Sequence, residues 1–166
     1  MRIGILTISD RSARGERPDD SGPLIRQFAE AQLQAEIGPV AVIPDELASI
    51  RDTLAAWCDR GDLDIVLTTG GTGFAPRDVT PEATRAVIER ETPGLAEAMR
   101  AASLQVTPHA MLSRAVCGIR GHTLIINLPG SPKAVRENLA TLAPALPHAV
   151  QVLRGAPSAE AGHRVA

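Results

Sequence analysis

The strongest chemical signal in the sequence is a run of six residues, Thr68-Thr69-Gly70-Gly71-Thr72-Gly73. Glycine lets backbone N–H groups come close to an anion, and successive N–H groups can form a concave nest for a phosphate. The run is not a Walker loop, because no Gly-Lys-Ser/Thr closes it, and it is not GxGxxG. Read alone, it is equally well a tight turn that binds nothing. Asp78 lies just beyond it, ahead of Thr80-Pro81. A carboxylate there could hold Mg²⁺, which commonly takes one or two protein carboxylates together with substrate phosphates. Asp78 could also simply favour a helix start. Asp45, followed by Glu46, offers the same choice between metal handling and capping the next helix. Asn127-Leu128-Pro129-Gly130-Ser131-Pro132-Lys133 reads as a tight turn into a helix, whose free N–H groups and lysine could take a phosphate. Arg77, Ser113-Arg114 and Arg11, Arg14 and Arg17 are spare anion-binding candidates. No Ser/His/Asp arrangement suggests hydrolysis.

These residues need a scaffold, and the hydropathy pattern supplies one. Short apolar runs predict strands at 2–9, 37–44, 64–69, 114–119 and 123–128, the last two joined as a hairpin. Helical spacing predicts helices at 23–34, 46–60 and 93–106, with others starting at Thr80 and at Pro132. The first should bury Leu24, Phe28, Ala31 and Ala35. The second should bury Leu47, Ile50, Leu54 and Trp57, with Asp45 as its cap. Thr80 and Ser131 should cap theirs. Residues 10–22 should form a long charged loop, and Pro144 and Pro147 should break the last helix. Strand and helix alternate, which implies an α/β fold: a mostly parallel sheet with helices on both faces, plus a short hairpin. Such sheets bind ligands beyond the C-terminal ends of their strands. Ser9-Asp10, Asp45, Gly70 and Pro129 all follow expected strands.

Composition narrows the function. The chain has 166 residues, room for one domain. Its net charge is -2 and aromatics are only 2%, with no Tyr. That argues against nucleic acid as a partner, both electrostatically and by base stacking. No apolar run reaches the ~20 residues of a membrane span, and the N-terminus does not read as a signal peptide. Two distant cysteines, Cys58 and Cys117, make neither a disulfide framework nor a metal set, in keeping with a cytoplasmic protein.

The glycine run followed by Arg77-Asp78-Val79-Thr80-Pro81-Glu82 resembles the molybdenum-cofactor biosynthesis family. Asp20-Ser21-Gly22-Pro23, Pro44-Asp45-Glu46, and Met111-Leu112-Ser113-Arg114 running through to the 127–132 turn agree with it in order and spacing. The complete 77–81 stretch is most similar to the molybdopterin adenylyltransferase (MogA) branch, with the G domains of gephyrin and its plant counterpart, rather than the related MoaB branch. The resemblance spans residues 1–155 and implies a single domain, with 156–166 as a flexible tail. It implies a homotrimer that uses Mg²⁺ to transfer AMP from ATP to molybdopterin, releasing pyrophosphate and passing the product to a molybdate-inserting, MoeA-like enzyme. It maps the two important aspartates onto Asp45 and Asp78, which would hold Mg²⁺. Thr69, Gly70, Gly71, Thr72 and Gly73, with Asn127, Pro129, Gly130, Ser131 and Lys133, would then bind nucleotide. Ser9, Asp10, Ser113 and Arg114 would bind the pterin substrate, and the 10–22 loop would close over it. The competing reading is a molybdopterin carrier or trimeric scaffold without catalysis, and a looser one is a CinA-type nucleotide domain.

Overall fold

The structure, a computed structural model, describes residues 1–155. The tail expected at 156–166 lies outside the described residues. Six strands form one sheet: β1 (Arg2–Ile8), β2 (Glu36–Ile43), β3 (Ile65–Thr69), β4 (Arg90–Glu91), β5 (Cys117–Arg120) and β6 (Thr123–Leu128), in the order β2-β1-β3-β6-β5-β4. β2, β1, β3 and β6 run parallel, whereas β5 and β4 are antiparallel additions at one edge. The helices are α1 (Asp10–Ala13), α2 (Ser21–Leu33), α3 (Leu47–Asp59), α4 (Thr80–Arg85), α5 (Pro93–Leu104), α6 (Pro132–Leu142) and α7 (Leu146–Leu153), with a 3-10 turn at Pro108–Leu112.

Side-chain alternation along the strands builds two cores. Ile3, Ile5, Ile65, Leu67, Leu124 and Ile126 face α2, α5, α6 and α7. Leu6, Ile8, Val66 and Ile125 face α3 and α4. The result is a helix–sheet–helix sandwich, because central parallel strands must be covered on both sides. From β1 the chain steps outward to β2, then returns to the other flank of β1 as β3. The switch point therefore falls between β1 and β3, and the crevice for a ligand opens above their C-terminal ends.

The parallel core strands and the hairpin follow the hydropathy pattern closely. Helix faces do so less well. α2 buries Ile25, Ala29 and Leu33, not the Leu24–Phe28–Ala31 stripe, of which Ala31 is exposed and the others half-buried. α3 buries Ile50, Leu54 and Cys58, while Leu47 is exposed. The 10–22 segment is not all loop, since it contains α1 and the start of α2. The prolines act as expected: α6 ends at Leu142 and α7 starts at Leu146. Both cysteines are buried and free, and burial pushes their thiols up to about 11 for Cys58 and about 12 for Cys117.

Candidate active site

The glycine run leaves the end of β3 and is held from every side by its carbonyl groups. The Thr80 hydroxyl donates to Gly70 O at 2.9 Å, and the Thr80 N–H donates to Gly71 O at 3.1 Å. The Arg114 N–H donates to Thr72 O at 2.9 Å, and Arg114 Nε donates to Gly73 O at 2.7 Å. All four carbonyls are thus taken by protein. The N–H groups differ. Gly70 donates to Leu128 O at 3.3 Å, but among the described residues those of Gly71, Thr72 and Gly73 meet no protein acceptor. A loop whose acceptors are occupied and whose donors are free has the hydrogen-bonding capacity to receive an anion.

Two glycines are compelled by this geometry. Gly70 has φ +100, and a Cβ there would sit 2.2 Å from Ile8 O. Gly71 has φ +62, and its Cβ would lie 2.4 Å from the Thr80 hydroxyl and 3.1 Å from Asp45 Oδ1. Only glycine tolerates this combination of backbone angle and contact.

A carboxylate stands at each end of the loop. Asp45 Oδ2 accepts from the Asp10 N–H at 2.7 Å, and the Asp45 N–H donates back to Asp10 Oδ1 at 3.1 Å. This reciprocal pair ties the tips of β1 and β2 together. Asp45 therefore does not cap α3, whose N-cap is Glu46 without a side-chain bond. Burial raises the Asp45 pKa, and the charges of Asp10 and Asp78 raise it further, against the bond from Asp10. Asp10 is the opposite case. Arg77 Nε and Nη2 donate to its two oxygens at 2.9 and 2.8 Å and hold its carboxyl below the usual range. Asp78 Oδ2 accepts from the Ala75 N–H at 2.9 Å. Asp45 and Asp78 each keep one oxygen with no hydrogen-bond donor among the described residues. Two half-free carboxylates beside a phosphate nest fit Mg²⁺, whose remaining ligands would come from phosphate and water.

Two clefts open on either side of the loop. The first, of about 320 Å³, is lined by Ser9, Ser12, Arg17, Asp19, Thr69, Gly70, Gly130 and Ser131 among others. The second, of about 260 Å³, lies between α5, the 3-10 turn and α6 and includes Thr72, Gly73, Ser113, Asn127 and Pro129 in its walls. The glycine run and the 127–131 turn each straddle both clefts. Thr69 Oγ1 donates to Pro129 O at 2.7 Å, which joins the two turns.

The remaining expected site residues fall both at the clefts and away from them. Ser9 lines the first cleft, across the loop from Ser113, and its hydroxyl accepts from the Ser12 N–H to cap α1. Asp10 lines neither cleft. Arg114 does not reach the second cleft, because its guanidinium bonds to Gly73 O, Asp78 O and Glu82 and so clamps the 72–82 segment. Asn127 is fully buried. Its Nδ2 donates to the Thr68 and Thr84 hydroxyls at 3.0 and 2.9 Å, and its Oδ1 accepts from the Val116 N–H at 3.2 Å. Ser131 caps α6 through the Ala134 N–H as expected. Lys133 lies outside both linings, 3.9 Å from Glu137. Thr80 does not cap α4, since its hydroxyl holds Gly70 instead. Asp19, missed in the sequence, accepts from the Thr7 hydroxyl and from the Ser21 and Gly22 N–H groups, and so fixes the start of α2 beside the first cleft.

The fold and site define a three-layer α/β protein with a glycine loop of free N–H groups and two half-free carboxylates between two clefts. Residues 4–148 match the model of the probable molybdopterin binding domain family, and the chain belongs to that family. It is 49% identical, over 92% of its length, to the molybdenum cofactor synthesis protein cinnamon of Drosophila melanogaster, of which it spans only 26%. It is 43% identical to molybdopterin adenylyltransferase of Helicobacter pylori, covering 93% of this chain and 89% of that one. The structure of the molybdopterin biosynthesis enzyme MoaB of Thermus thermophilus superposes with a TM-score of 0.87, at 52% identity over 94% of this chain and 98% of that one.

Proposed function

We propose that the chain is a molybdopterin adenylyltransferase. The observation that carries this reading is the loop at residues 70–73, with its carbonyls tied into the protein, its N–H groups free and a half-free carboxylate at each end. The adenylyltransferase from Helicobacter pylori, similar over nearly its whole length, supports the choice of reaction. ATP would lie in the polar first cleft, with its phosphates on the N–H groups of Gly71–Gly73. The pterin would lie in the second cleft, against apolar walls that include Met99, Ala115 and Pro129. The reacting phosphates would then meet over the loop that separates the clefts.

In the reaction, an oxygen of molybdopterin's terminal phosphate attacks the α-phosphorus of ATP. A new P–O bond forms, the bond to the β-phosphate oxygen breaks, and pyrophosphate leaves. Two polyanions must meet, so the protein's work is alignment and charge compensation. Asp45 and Asp78 would hold Mg²⁺, which when bound offsets phosphate charge. Arg114 and Thr80 keep the loop in its donating conformation. A homotrimer and a MoeA-like acceptor of the product complete the proposal.

Pyrophosphate release from ATP, Mg²⁺ and molybdopterin is the test, with Asp78→Asn run alongside. The expected result is release that requires molybdopterin and falls by about 10²-fold or more in the variant, with melting temperature unchanged. Tight molybdopterin binding without any release would overturn it in favour of a carrier.

A further inference from the structure

α6 carries an anomaly. Its buried stripe is Val135, Asn138, Leu139 and Leu142, so an amide stands where the spacing calls for an apolar side chain. Asn138 is only 5% exposed. Its Oδ1 accepts from the Ser103 hydroxyl of α5 at 3.1 Å. Among the described residues nothing accepts from its Nδ2. Nδ2 is not one of the sealed, unpaired polar atoms of the fold, so on a side chain this little exposed it keeps an opening to solvent, which a ligand in the cleft would close. Asn138 and Ser103 both line the 260 Å³ cleft, so its interior is what the amide faces.

We propose that Asn138 is a specificity-determining residue that reads the edge of the pterin ring, with Ser103 holding the amide in the donating orientation. The inference rests on the reading that this cleft takes the pterin. A ring carbonyl or unprotonated ring nitrogen is the acceptor that Nδ2 lacks. Apolar walls grip the ring faces, and a buried amide at the edge discriminates in the plane. Such a site rejects a ring lacking the acceptor far more strongly than an apolar pocket rejects a change of shape, because the wrong ring leaves the buried donor unpaired. Glu137, the neighbour of Asn138 on α6, also lines the cleft. Its carboxylate is partly exposed and lies near Lys133, so it offers an acceptor at the rim where Asn138 offers a donor inside.

The experiment titrates molybdopterin, ATP and the phosphate-free probe 6-hydroxymethylpterin separately into wild type, Asn138→Leu and Ser103→Ala. Asn138→Leu is expected to weaken both pterins about tenfold or more and to leave ATP affinity within about twofold, with a cooperative melting transition showing that the variant folds. Ser103→Ala should weaken the pterins less, because the amide survives but is free to turn. Unchanged pterin affinity in Asn138→Leu, or an equal loss of ATP, overturns the proposal. Wild-type protein that binds neither pterin overturns the adenylyltransferase reading itself, a result distinct from a wild type that binds pterin indifferently to position 138.

Discussion

The two ends of the sheet use the same residue types to opposite effect. At the N-terminal end of β3, Asp64 is 2% exposed and saturated, accepting from the Arg2 N–H at 2.6 Å and from Arg154 Nε at 2.6 Å. The Arg2 guanidinium pairs with Asp62, and the Thr123 hydroxyl donates to Leu63 O at 2.8 Å. At the C-terminal end, Asp45 and Asp78 each have an oxygen to spare, and three consecutive N–H groups have no acceptor. One end closes on itself and fastens the start of the chain to α7. The other satisfies its carbonyls and leaves its donors open. Acidic and basic residues therefore do not mark the functional end. A run of backbone N–H groups without acceptors does, since the closed end also leaves Arg2 Nε and Asp62 Oδ1 without a hydrogen-bond partner.

Substitution at Gly70 should separate the two ends most sharply. Gly70→Ala places a Cβ 2.2 Å from Ile8 O at φ +100, and a backbone oxygen cannot swing aside. The expected cost is about 3 kcal/mol of stability, from strain and overpacking together. Displacing the loop should lower turnover by about 10²-fold. Denaturant unfolding and pyrophosphate release measure the two effects. At the closed end, Asp64→Ala strands the Arg2 N–H and frees Arg154. It should cost about 2 kcal/mol, lowering the melting temperature by roughly 4–8 °C, while turnover of the folded protein stays normal. Lost turnover in folded Asp64→Ala would break the contrast.

How much of this could be read from the sequence follows from range. The central strands are continuous Ile/Val/Leu runs, so local composition decides them. β4 is two residues long and exists only because Arg90 and Glu91 pair with β5, which no periodicity can reveal. The apolar stripe of α2 is ambiguous in sequence because Leu24 and Phe28 fit helical spacing as well as Ile25 and Ala29 do, and the choice is made by contact with the sheet. The glycine run is legible because the backbone demands glycine at positions 70 and 71. The contacts of Arg114 and Asn127 are not legible locally, because most of their partners lie tens of residues away. Asn138 did leave a signal, a polar residue on an apolar stripe, but helix periodicity alone does not distinguish a ligand-facing amide from an ordinary buried one.

The smallest effect tests the comparison most finely. If the open end is kept open for function, its charge should weigh against the fold. Asp45 is the place to look, because burial and the charges of Asp10 and Asp78 raise its pKa above the ordinary 3.8. Below that value the carboxyl is neutral in folded and unfolded chains alike, and there is no penalty. As pH rises past 3.8 the unfolded chain ionises first while the folded one still holds its proton. The folded protein then binds more protons, so stability falls with pH until the folded carboxyl has also ionised, and the penalty stays constant above that. Asp45→Asn removes the charge while keeping an acceptor for the Asp10 N–H. It should therefore melt about 1–3 °C above wild type at neutral pH and level with it near pH 3, although adenylyl transfer is lost. Thermal scans across that range would read the convergence. A variant less stable than wild type at neutral pH would mean that the Asp45 charge holds the strand tips together, and that this end of the sheet closes on itself as the other does.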